Sequence, residues 1–147
     1  MRYLFAGWGF QAGALAESFE SCWTQAVQTL DCAGSVPCRW TFALLATRSQ
    51  TCAARALQDW ANQIRGPIDW KTWTEDAIAR VATPSRSARL QQRFATGSVA
   101  EALALRASSA LPHARLLVLR TVSEDRRATL AIAGVTPPTS LIPGVMP

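Results

Sequence analysis

The sequence is poor in the groups that most enzymes use for proton transfer and metal chemistry. It holds one histidine, His113, and one lysine, Lys71, in 147 residues. Its four cysteines, Cys22, Cys32, Cys38 and Cys52, stand at irregular spacings with no C-x-x-C pair, which argues against a zinc site. No metal and no cofactor are expected. No G-x-S-x-G elbow occurs, and no G-K-[ST] follows the glycines near the N-terminus, so a serine hydrolase and a P-loop are both disfavoured. Zinc-finger, RNP-like and lysine-rich helical patterns are missing, so nucleic acid is not an expected partner. No apolar run reaches the roughly 18 to 20 residues of a membrane span, and Met1 to Ala6 enters a strand-like segment with no leader pattern. A cytoplasmic protein with free thiols and no membrane contact is the expectation.

What is present suits a packed domain. Hydrophobic residues make up 49% and charged residues 17%, enough apolar surface to build a core. One domain over residues 1–135 is expected, followed by a proline-rich mobile tail at 136–147. The net charge is +5, and 14 of the 15 basic residues are arginine, whose fork matches carboxylate and phosphate.

Periodicity sets out the elements. Arg2 to Ala6 reads as a strand and Ala14 to Leu30 as an amphipathic helix. Arg39 to Ala46 reads as a buried strand, 52–64 as a second helix, and Pro67 to Trp70 as a short strand. Helix starts are marked by Thr74 ahead of Glu75 and Asp76, by Thr83-Pro84, and by the capping box Ser98-Val99-Ala100-Glu101. Two apolar runs around Ser123-Glu124-Asp125-Arg126 predict a hairpin over roughly 115 to 133. The fold class is therefore α/β, a three-layer α/β/α sandwich with a mixed, mostly parallel sheet and a C-terminal β-hairpin.

Two features carry chemistry. "GWGFQAG", Gly7 to Gly13, is either a tight strand-to-helix turn or a backbone cradle for an anion, and Trp8 within it goes either to the core or to a flat ligand. Arg86, Arg89 and Arg93 share one helical face, with Arg80 just before, and no acidic residue interrupts Ile78 to Ala100. That face either collects carboxylates or is simply solvated. His113, Asp69 and Glu101 are the available general bases, with Glu101 better explained as a cap partner. No nucleophile–base pair stands out, so the catalytic residues are unknown and binding is favoured over catalysis.

In order, the segments resemble a known family. "VATPSRSARLQQRFATGSVAEALAL" followed by "RLLVLRTVSEDRRATLAIA" is similar to the CobE family, which also forms the C-terminal domain of CbiG, the cobalt-precorrin-5A hydrolase of cobalamin synthesis. "GWGFQAG", "FALLATRSQ" and "WTEDAIARV" resemble that domain's first strand end, second strand and third helix start, and the likeness spans about residues 2 to 133. Where the family has Cys-Arg-Arg in the first loop, this chain has Phe10-Gln11-Ala12. Its Pro-Lys is Leu119-Arg120 here, and the second-strand turn is Thr47-Arg48-Ser49. The chain looks like the free-standing form. The resemblance implies a cobalamin-synthesis protein that binds a corrin or precorrin intermediate as an accessory or carrier, with other enzymes of that pathway as partners. The alternatives are a pathway enzyme that hydrolyses a lactone or carbon–carbon bond, and a small nucleotide-binding regulatory module. The expected ligand-binding residues are Gly7, Trp8, Gly9, Gly13, Thr47, Thr83, Ser85, Arg86, Ser98 and Arg120.

Overall fold

The computed structural model describes residues 2–30, 38–63, 68–79, 81–84 and 98–135. The elements run β1 (Arg2–Phe10), α1 (Ala16–Leu30), β2 (Cys38–Leu45), a 3-10 turn (Ala46–Arg48), α2 (Cys52–Ala61), β3 (Ile68–Trp73), α3 (Glu75–Ile78), α4 (Val99–Ala107), β4 (Arg115–Val122) and β5 (Ala128–Gly134). They form one five-stranded sheet in the order β3-β2-β1-β5-β4. The pairs β1–β2 and β2–β3 are parallel, and β1–β5 and β5–β4 are antiparallel. Four strands thus point one way, and β5 alone is reversed.

Alternation along β1 builds three layers. Leu4, Ala6 and Trp8 face α1 and α2, where they join Phe19, Cys22, Ala26, Leu57 and Trp60 in the larger core. The opposite face packs on α3 and α4 through Ile78, Val99, Ala102 and Leu103, with Ala100 and Ala104 set against Ala131 and Ala133. Helix starts follow their caps. The hydroxyls of Thr51, Thr74 and Ser98 accept the backbone N–H groups of Ala54, Ala77 and Glu101. The expected caps at Thr74 and Ser98 and the hairpin at its expected place are all present.

The first strand corrects the sequence reading. It does not end at Ala6 but continues through Gly7, Trp8 and Gly9 to Phe10. Its extension is held by β5, with Gly7 opposite Ala131, Gly9 opposite Thr129 and Phe10 opposite Ala128. Glycine is unfavourable in a strand unless another backbone must come close, and here α4 does. A Cβ on Gly7 would lie 2.1 Å from the Ala100 carbonyl oxygen and 2.6 Å from the Ala104 nitrogen. The third strand is likewise longer than expected, Ile68–Trp73. The reading of Thr83-Pro84 as a helix start, the arginine face built on Arg80, Arg86, Arg89 and Arg93, and the tail at 136–147 all involve residues outside those described.

Candidate functional site

A cleft of about 1060 Å³ opens at the carboxyl ends of β1 and β2. Trp8 to Ala12 line it from β1 and the turn beyond, Leu45 and Arg48 from the end of β2, and Val99 from the first turn of α4. Arg120 and Val122 come from β4, and Arg126 to Thr129 from the hairpin turn and the start of β5. Chain connections leave β1 for β2 over one face of the sheet and pass from β3 to β4 over the other, so the cleft occupies the switch point where open α/β sheets bind ligands.

The four arginines are brought in by different local devices. Arg48 ends the 3-10 turn that leaves β2. Arg120 lies where the β4–β5 register shifts between Val118 and Thr121. Such a bulge re-aims a side chain and leaves a ladder N–H without its strand partner. The Arg120 N–H is instead accepted at 2.8 Å by Oε2 of Glu101, a carboxylate fully buried in the first turn of α4. Arg126 and Arg127 close the hairpin. Among the described residues the ion pair Arg39–Asp69 sits at the far end of the sheet, and none of the four cleft arginines is ion-paired. No lining residue is acidic. The cleft is therefore positive by its lining, with Asp125 acting on Arg127 from behind it and the capped start of α4 adding its dipole.

The hairpin turn is fastened to its surroundings by Asp125. One carboxylate oxygen accepts the Ser123 hydroxyl at 2.6 Å and the Arg127 N–H at 3.0 Å, and the other accepts the Ser18 hydroxyl of α1 at 2.6 Å. The Gln11 N–H donates to the Arg127 carbonyl, and the Arg127 guanidinium donates to the Gly13 carbonyl. Hydrogen bonds from Ser123 first, then Ser18 and the Arg127 backbone, hold the Asp125 pKa down at about 2, below its ordinary 3.8. A carboxyl lowered by folding stabilises the fold above its unfolded pKa, and that contribution is lost as pH falls through the folded value. The melting temperature should therefore drop between about pH 4 and pH 2, and Asp125→Asn should flatten the drop. Parallel curves for parent and variant would show that this network does not govern acid stability. The Cys22 thiol donates to the Ala128 carbonyl at 3.2 Å. Burial, with the nearby Asp125 charge, pushes its pKa up to about 12, so it remains a neutral core group.

The structure gathers part of the expected site. Trp8, Gly9 and Arg120 line the cleft. Trp8 is 1% exposed and packs among Phe19, Phe42 and Trp60, so it forms a floor and presents no open ring face. Gly7 is buried beneath α4, and Ser98 caps that helix. Gly13 and Thr47 are exposed beside lining residues, and Thr83 is buried outside the lining. Ser85 and Arg86 lie outside the described residues. Sequence reasoning passed over Arg48, Arg126 and Arg127 as ligand contacts. The signal available was the doubled arginine directly after the hairpin's turn residues.

Three comparisons bear on this architecture. Among curated proteins none matches the sequence. The fold is similar to the crystal structure of CobE, described as a protein from the cobalamin (vitamin B12) biosynthetic pathway, with a TM-score of 0.65, 20% identity and 92% of each chain covered. At that identity the likeness concerns the fold. The family model described as cobalamin synthesis G C-terminus matches residues 4–133, from the first strand to the last. With nearly its whole sheet and both helical layers inside that match, the chain belongs to the CbiG C-terminal family of cobalamin synthesis.

Proposed function

We propose that the cleft binds a corrin-ring intermediate of cobalamin synthesis through the acid side chains of the macrocycle, and that the protein acts as an accessory or carrier that passes the intermediate to another enzyme of that pathway. The observation that carries this reading is the convergence of four arginines with no ion pair among the described residues, Arg48, Arg120, Arg126 and Arg127, on a cleft with no acidic lining. Its volume lies just above the roughly 300–1,000 Å³ common for small-molecule sites, which suits a large, flat ligand. Arginine forks suit carboxylates, and charge-assisted bonds are the strong ones.

Binding is favoured over catalysis by where the candidate bases sit. His113 precedes β4, and roughly 17 Å of strand separates the start of β4 from Arg120, its first residue in the cleft. Asp69 pairs with Arg39 near the starts of β2 and β3, and Glu101 is buried with its Oε2 engaged by Arg120. The nucleotide reading rested on a glycine loop, and two of those glycines are strand residues.

A visible-absorbance titration with dicyanocobyrinic acid, a corrin polycarboxylate, tests the proposal. A saturable shift is expected, with little response to the corresponding methyl ester. Arg48→Ala should weaken binding by about 1.5–3 kcal/mol, the range for hydrogen bonds to charged groups. Absence of a saturable shift in the parent protein would overturn the reading, and a new product spectrum would move it to the pathway-enzyme alternative.

A further inference from the structure

The hairpin turn holds a residue type that its backbone disfavours. The Arg126 N–H donates to the Ser123 carbonyl at 2.9 Å, closing a four-residue turn, and Arg126 itself has φ 62°. This left-handed position after such a turn is one that glycine normally fills, because a side chain there is strained. The conformation is over-determined from several sides. Asp125 and the Ser123 hydroxyl take the next N–H, and the Gln11 amide donates to the Arg126 carbonyl at 3.4 Å. These contacts use backbone groups, so glycine would keep them. The Arg126 guanidinium makes no hydrogen bond or ion pair among the described residues, yet the residue lines the cleft.

We propose that Arg126 is a ligand-contacting residue, held in a strained backbone position because its guanidinium engages a carboxylate of the bound molecule. The inference rests on the corrin-binding reading and gives one of its four arginines a specific contact that accounts for its strained backbone. Strain that gives the fold nothing is characteristic of functional positions.

The experiment pairs stability with affinity in the full chain. Arg126→Gly should raise the melting temperature by about 2–4 °C through relief of the left-handed strain. It should also weaken binding of dicyanocobyrinic acid at least roughly tenfold, the loss of a charge-assisted contact. Arg115→Ala, at the exposed start of β4 and the opposite end of that strand from the cleft, removes the same charge and should leave affinity unchanged. Parental affinity in Arg126→Gly would overturn the inference while leaving corrin binding intact. Equal weakening by both variants would overturn it in favour of long-range charge, and a lowered melting temperature would show that the arginine serves the fold. If the parent does not bind the probe, the corrin-binding reading fails and this inference falls with it.

Discussion

Gly7→Ala is expected to destabilise the protein by about 3 kcal/mol, the upper end of ordinary overpacking. The added methyl would overlap the Ala100 carbonyl and the Ala104 nitrogen, both backbone atoms of α4 that have no rotamer to escape into. Relief requires α4 to lift from the sheet, which would also loosen its contacts through Ala100 and Ala104 with Ala131 and Ala133. Gly13→Ala is the control. Its Cβ would meet nothing closer than the Arg127 guanidinium at 3.8 Å, so the change should stay within about 0.5 kcal/mol. Urea denaturation midpoints decide between the roles. If both variants unfold like the parent, close helix packing is not why Gly7 is glycine.

Trp8→Ala should cost about 3–5 kcal/mol, the usual range for emptying a buried aromatic site. Trp8 touches Phe19, Phe42 and Trp60 with ring centroids 5.5–5.6 Å apart and stacks at 6.5 Å on Trp23. Its removal leaves a void under the cleft floor that α1, α2 and β2 share. Trp8→Phe should differ from the parent by no more than about 1.5 kcal/mol. The indole Nε1 is buried with no hydrogen-bond partner among the described residues, so phenylalanine loses volume but also removes an unsatisfied donor. Chemical denaturation with near-ultraviolet circular dichroism reads both effects. A mild Trp8→Ala would place the ring outside the structural core.

These two residues show where a sequence informs and where it does not. Thr74 and Ser98 declare their helices because a cap acts within one turn. The hairpin is legible for the same reason, since its turn residues sit between two apolar runs. Gly7 and Gly9 read as a loop because glycine locally weakens strands, and the demand for them comes from far along the chain, for Gly7 from the α4 backbone and for Gly9 from Thr129 of β5. The cleft arginines were hidden for a related reason. Arg48, Arg120, Arg126 and Arg127 come from three separate segments, and only sheet order and the shifted β4 register bring them together. Arg86, Arg89 and Arg93 stood out because their spacing is periodic, a pattern readable within one short segment, and they lie outside the described residues.

The sheet's middle strand is the first element of the described chain, and one of its two neighbours is the last. Gly9 and Thr129, opposite one another across the cleft floor, are separated by 120 positions. Closing so distant a pair is entropically uphill until the contacts are made, which slows folding relative to a chain of local pairings. During synthesis, β1 can dock on β2 early while its other edge stays open, and β5 arrives after every other described element has emerged. The cleft is therefore complete only when the last strand is in place: a chain that lacks β5 presents an exposed strand edge instead of a half-formed pocket.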